Sequence, residues 1–197
     1  RVPETGDRHT ARSWEANSRC GRRGSALGNG LSENPEKVGG KGWDADYPRI
    51  VTWAKFKDNL TKKTFYQFNT HFDHIGAKAR TESSKLLLAQ IPKIAGKSPF
   101  VVTGDFNAQE DTNVYRILTG KEEAGNFKLI DARYISQNGH FGGNSSFNAF
   151  KELEPNRKID YIFVGENTKV LEHGILSDRW DGLWASDHLP VLAEIIF

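Results

Sequence analysis

The stretch Pro99-Phe100-Val101-Val102-Thr103-Gly104-Asp105-Phe106-Asn107 decides the fold. Its first half is an apolar run rich in β-branched residues and opened by proline, which predicts a buried strand. Gly104 breaks the run and lets the backbone turn without a Cβ clash. Asp105 and Asn107 are thereby delivered two residues apart at the carboxyl end of a strand, the edge where helix-covered sheets tend to bind ligands. A carboxylate and a carboxamide on a rigid strand end suit metal or phosphate chemistry. An Asx-type turn after a strand would produce the same letters, so the rest of the chain has to decide.

Working outward, Arg49 to Lys57 and Thr64 to Phe72 alternate apolar with polar around a turn at Asp58-Asn59, which predicts a β-hairpin ending in Asn69-Thr70-His71-Phe72-Asp73-His74. Ala77 to Ile94 carries apolar residues near helical spacing, with Pro92 near its end. Downstream, Asp111 is a candidate cap for a short helix through Leu118, with Gly120 as its stop. Strands are predicted at Phe127–Ala132, Lys158–Val164, Val170–Ile175 and Leu189–Phe197. His140–Phe150 reads as a Gly/Asn/Ser-rich loop, Trp180–Trp184 as a turn, and Leu31–Tyr47 as an irregular loop anchored by Trp43 and Tyr47. Many strands with one long helix predict an α/β sandwich of sheets covered by helices.

The chain has 197 residues, 37% hydrophobic and 26% charged, as expected for one globular domain. No run approaches a membrane span or the apolar core of a signal peptide. A single cysteine, Cys20, excludes an internal disulfide. The net charge of +2 is too small to argue for nucleic-acid binding. Residues 1–30 hold six arginines against three acids and show no helix or strand periodicity, so they are expected to form a disordered, non-native basic tail, with the domain proper at 31–197. The absence of methionine suggests a processed product or a fragment.

Three further elements repeat the logic of the first. His71 and Asp73 end a strand, Asp160 sits inside an apolar one, and Asp187-His188 precede the last. Acids in apolar context need a partner, and histidine or a metal ion supplies one. Taken singly, Asp160 could be a buried acid satisfied by Arg157 or Lys158, and Asp187 a turn acid. His9, His140 and His173 lack such context and are given no role.

THFDH, GDFN, IDYIF and SDHLPV, in that order between Leu31 and Phe197, resemble the endonuclease/exonuclease/phosphatase superfamily. The resemblance implies a four-layer α/β sandwich of the deoxyribonuclease-like type and a phosphoesterase, nuclease or phosphatase, that uses Mg²⁺ or Mn²⁺. It implies that Asp105 orients or deprotonates the attacking water, or protonates the leaving oxygen, and that Asn107 hydrogen-bonds a phosphoryl oxygen. By the same resemblance Asp187, with Asp105, holds the metal. His188 then acts as base or phosphate donor, oriented by Asp160, and His71 contacts the phosphate from the other side. The family's first strand carries an Asn and a later one a metal-binding Glu, and residues 1–30 match neither. The fold is therefore expected to be incomplete at its N-terminus, with sheet edges open to homodimerisation. A non-catalytic remnant is the alternative reading. A third is a metallo-β-lactamase-type hydrolase using His71, Asp73 and His74. The implied partner is a phosphorylated substrate, with nucleic acid among the candidates.

Overall fold

The computed structural model describes residues 14–16, 30–35, 39–122 and 127–197. The expectations for the remainder of 1–30, including His9 and Cys20, lie outside the described residues. Within that stretch Trp14–Ala16 form a strand, β1, where no strand was expected. It pairs antiparallel with β2 (Val51–Asp58), Glu15 facing Lys57.

The predicted hairpin is present as β2 and β3 (Thr64–His71). The long helix, α1, runs from Ala77 to Ala95 with Pro92 in its last turn and Gly96 as its cap. It leads into β4 (Phe100–Asp105), which lies parallel to β3. The short helix α2 (Asn113–Leu118) is capped by the Thr112 hydroxyl, one residue after the expected Asp111. The strand expected at Phe127–Ala132 shrinks to β5 (Ile130–Asp131). Asp131 turns it into α3 (Ala132–Ile135) by accepting the Arg133 N–H. The Gly-rich loop contains β6 (His140–Gly142). Then follow β7 (Asp160–Val164), β8 (Lys169–Ile175) and β9 (Val191–Ile196).

Two sheets result, one in the order β1-β2-β3-β4-β7-β5 and one in the order β6-β8-β9. Strand alternation sorts the core between them. Phe68, Phe100, Val102, Tyr161 and Phe163 point to one face of the large sheet, where Leu87 and Ile91 of α1 and Ile117 and Leu118 of α2 cover them. Val101, Ile162 and Val164 point to the other and meet Val170, Ala193 and Ile195 of the small sheet. Among the described residues, helices, large sheet and small sheet thus stack as successive layers of the α/β sandwich. Leu192 and Ile196 on the outer face of the small sheet remain exposed. Among the described residues no helix is long and apolar enough to cross a membrane.

The loop before β2 is fastened by acids. Asp44 accepts the N–H groups of Lys78 and Ala79 at the start of α1. Asp73 accepts those of Asp46, Tyr47, Ile75 and Gly76. Leu31 is buried in the core beneath this loop, whereas Tyr47, an expected anchor, is exposed and stacks on His74.

Candidate active site

Strand register builds the site. His71 lies opposite Asp105 across the β3–β4 ladder, and Asp105 lies opposite Asp160 across β4–β7. All three share the alternation phase of Val101 and Ile162, so they project from the same face of the large sheet, in one row at one end of three adjacent strands. Gly104 makes this possible. It has φ +149°, and a Cβ there would lie 1.9 Å from the Thr70 carbonyl oxygen. A side chain would therefore push β4 away from β3 at the residue before Asp105.

Asp105 is held from below. Its Oδ1 accepts the Asn107 N–H at 2.7 Å, and its Oδ2 accepts Asn107 Nδ2 at 3.3 Å. Asn107 adopts φ +47°, a left-handed turn that asparagine tolerates. Its amide also donates to the Phe72 carbonyl, at 3.0 Å. Both amide hydrogens are thus spent inside the protein, so Asn107 fixes Asp105 and does not present a free donor to a phosphoryl oxygen as the resemblance implied.

His188 reaches the row from the segment before β9. Its Nδ1 lies 2.8 Å from Asp160 Oδ2, and its Nε2 lies 3.9 Å from Asp105 Oδ2. His71 Nε2 approaches the same oxygen at 3.3 Å. Two imidazoles therefore flank one carboxylate. Burial raises the Asp160 carboxyl above its ordinary range. Burial opposes the His188 cation, but the hydrogen bond and charge of Asp160 outweigh it and raise that imidazole. The same hydrogen bond and charge act on Asp160 in the opposite sense to burial and pull its carboxyl back down. His71 is shifted the other way, chiefly by burial, and Arg49, His188 and His74 add to the shift against the pull of Asp105. The open cleft beside the row has a volume of about 350 Å³ and is also lined by Asn69, Thr103, Leu189 and Val191.

Asp105, Asp160 and His188 offer ligand atoms within 4.8 Å of one another. Two carboxylates and an imidazole suit a hard divalent cation. Asp187, expected among the ligands, adjoins His188, but its carboxylate is outside this converging group. Its carbonyl accepts the N–H groups of Asn148 and Ala149. Among the described residues no glutamate joins the three. The zinc-type motif is excluded by the bonding of Asp73, whose oxygens are both filled by backbone N–H groups that hold it well below the usual carboxylate range against the effect of burial. His74 is engaged by Arg49.

Several supporting residues carry no sequence signal. The Ser146 hydroxyl, fully buried, accepts the N–H groups of Ile159 and Asp160. Phe147 packs edge-on to the His188 ring. Asn148 donates to the Ser186 carbonyl. This segment ties the β7 entrance to the Ser186–Leu189 turn and so aligns Asp160 with His188. Arg49 adds a cation beside His71, its Nε buried without a hydrogen bond.

A sequence model of the Endonuclease/Exonuclease/phosphatase family matches residues 10–188. It starts upstream of the boundary at residue 31. The solved structure of an endonuclease/exonuclease/phosphatase from Bacteroides vulgatus is 37% identical, with a TM-score of 0.81, over 93% of this chain and 66% of that one. A mannosyl-6-phosphatase of Bacteroides thetaiotaomicron is 35% identical, with a TM-score of 0.74, over 86% of this chain and 64% of that one. An uncharacterized protein of Acanthamoeba polyphaga mimivirus is 28% identical over 181 residues, 85% of this chain and 62% of that protein. The chain therefore spans just under two thirds of the length of each of these relatives.

Proposed function

The chain belongs to the endonuclease/exonuclease/phosphatase family, and on that premise we propose that it is a metal-dependent phosphoesterase, hydrolysing a phosphate ester by in-line attack of water. The observation that carries the reading is the row of His71, Asp105 and Asp160 on neighbouring strands, with His188 locked over it by Asp160.

Asp105, held by Asn107, takes the proton of the attacking water. The water oxygen bonds to phosphorus as the ester P–O bond breaks; the leaving alkoxide takes a proton from solvent water, and Asp105 returns the proton it took to solvent. His188 donates from Nε2 to a phosphoryl oxygen, because Asp160 holds Nδ1 and favours the cation. His71, kept neutral, contacts the phosphate from the opposite side of Asp105. Mg²⁺ or Mn²⁺ would be held by Asp105, with the Asp160 carboxylate as the further oxygen donor at hand. The ion would supply positive charge to the oxygens around phosphorus.

A specific observation favours a second reading, a non-catalytic member of the family: among the described residues no glutamate reaches the cluster. Release of p-nitrophenol from bis-p-nitrophenyl phosphate, with and without Mg²⁺ or Mn²⁺, decides between them. Metal-dependent turnover that disappears in Asp105→Ala supports the enzyme. No turnover with either metal supports the second reading. We also infer self-association through an open sheet edge, of which β9 offers one. A monomeric mass in solution at all concentrations would end that idea.

A further inference from the structure

Asp105 and Asp160 form the last pair of the β4–β7 ladder, and a ladder opens most readily at its ends. One backbone bond follows that pair, from the Phe106 N–H to the Ile159 carbonyl at 2.9 Å. The two carboxylates of the row therefore sit where strand pairing is weakest, and past this point side chains take over the joining of the two segments. The Tyr161 hydroxyl lies 2.9 Å from the Ala108 carbonyl and 3.0 Å from the Lys158 carbonyl and shares its hydrogen between them. Gln109 Nε2 donates to the Asn156 carbonyl at 3.2 Å.

Lys158 is the centre of this clamp, and the mechanism above gives it no part. Its side chain is 4% exposed, and Nζ donates to Asp131 Oδ2 at 2.8 Å and to Glu110 Oε1 at 3.1 Å. The face of the Tyr161 ring backs the ammonium, 4.4 Å from Nζ to the centroid. Both acids are held in turn. Glu110 accepts the Tyr134 hydroxyl on its other oxygen. Asp131, buried at the corner between β5 and α3, accepts the Tyr115 hydroxyl on Oδ2 and the Arg133 N–H on Oδ1. Lys158 thus joins three segments: the loop leaving β4, the start of α3 and the entrance to β7. Its charge is spent on Asp131 and Glu110, which leaves Asp160 to His188. Stability alone does not call for such a group. Desolvating an ammonium and its acids offsets most of their attraction, and apolar side chains of similar volume hold a fold at least as well. What apolar side chains lack is direction, and the two charge-assisted bonds of Lys158 supply it.

We propose that Lys158 is a positioning residue for the catalytic row: through Glu110 and Asp131 it holds the loop after Asp105 against the entrance to β7, and so fixes the spacing of the Asp105 and Asp160 carboxylates. The proposal rests on the phosphoesterase reading, which gives those two carboxylates their work. Lys158 touches neither of them and acts on the reaction only through the backbone it holds.

Steady-state kinetics and amide hydrogen exchange on the 197-residue chain test it together. Glu110→Ala cuts the loop from Lys158 at a partly exposed position and leaves the Lys158–Asp131 pair in place. With bis-p-nitrophenyl phosphate and Mg²⁺ or Mn²⁺, it should lower kcat roughly tenfold and leave KM within about twofold, a loss of orientation and not of binding. Glu110→Gln keeps a carbonyl acceptor for Nζ and should recover most of that loss. Lys158→Met should lower kcat at least as far as Glu110→Ala, and the double variant no further than Lys158→Met alone, because both changes open one clamp. In metal-free buffer the Phe106 N–H should exchange about tenfold faster in Glu110→Ala, while Val102 in the middle of β4 stays within about twofold. A kcat within about twofold of wild type in Glu110→Ala overturns the proposal, as do equal losses in Glu110→Ala and Glu110→Gln. Losses that multiply in the double variant, or equal acceleration of both amides, overturn it too. If Lys158→Met does not fold, the two Glu110 variants decide alone. Unfolding of Glu110→Ala would make the clamp a support of the whole fold and would also end the proposal. Failure of the enzymatic reading looks different: wild type shows no turnover with either metal while the Phe106 amide still responds to Glu110→Ala.

Discussion

Lowering the pH should weaken the fold through His173, a residue away from the catalytic row. His140 and His173 face each other across the β6–β8 ladder, with their Nδ1 atoms 2.9 Å apart. His140 Nε2 donates to the Gly143 carbonyl, so His140 Nδ1 is an acceptor and His173 Nδ1 must donate to it. That leaves His173 Nε2 as a bare lone pair, buried and without a partner, on a ring that is 0% exposed. A proton added there would find no acceptor. Burial, together with the nearby Lys158, His140 and Arg133, pushes the imidazole down to about 4 from its ordinary 6.5. The unfolded chain therefore binds one more proton than the folded chain between those two values, and stability rises with pH across that window. The contribution is complete above pH 6.5 and is lost as the pH falls towards 4. At about 1.36 kcal/mol per pH unit it amounts to about 2 kcal/mol between pH 7.5 and 5, and about 3 kcal/mol in full. Urea denaturation at a series of pH values checks this against His173→Asn, whose amide keeps a donor near the position of Nδ1 and does not titrate. The active-site histidines titrate in both proteins and cancel in the difference. Wild type should lose about 2 kcal/mol more than the variant between pH 7.5 and 5. Parallel pH dependences for the two proteins would refute the tautomer assignment and the orphaned nitrogen together.

Other outcomes follow from the site. Asp160→Asn removes the charge that raises His188, so the imidazole should titrate at lower pH and the alkaline limb of the rate profile should move down. An unmoved limb would separate Asp160 from the working group. Asn107→Ala frees the Asp105 carboxylate and should lower kcat by roughly 10- to 100-fold with little change in KM, a loss of orientation rather than of binding. A rise in KM alone would return Asn107 to the role of a direct phosphate contact. Gly104→Ala should cost on the order of 3 kcal/mol in a thermal or urea melt, since strain at φ +149° adds to the clash with Thr70. An unchanged melt would mean that β4 has room to retreat.

The strand–glycine–acid pattern at Phe100–Asp105 was legible because a buried strand needs an apolar run and the turn after it needs a glycine. The long helix was legible because its apolar period spans five turns. Asp105, Asp160 and His71 lie side by side at one end of the large sheet, with His188 against them. The exceptions are instructive. Asn107 looked like a ligand donor, but the φ +47° turn folds its amide back onto Phe72 and Asp105, and a dihedral angle is not written in a dipeptide. Asp73 had the spacing of a metal ligand but serves as a staple for four backbone N–H groups, which lie on both sides of the chain in sequence. Ser146 was hidden in a loop of small residues, because its role depends on long-range contact with Ile159 and Asp160. The His140–His173 pair was invisible for the same reason: thirty-three positions separate two rings that touch.

The row of His71, Asp105 and Asp160 has one more implication. Because side chains alternate across a sheet, sliding β4 by a single residue against β3 and β7 would send Asp105 into the greasy layer under α1 and bring an aromatic ring into the solvent-facing groove. Chemistry and correct pairing therefore stand or fall together. Regain of turnover after dilution from urea would time the moment when the central ladder locks, a kinetic signal distinct from the earlier return of helix content.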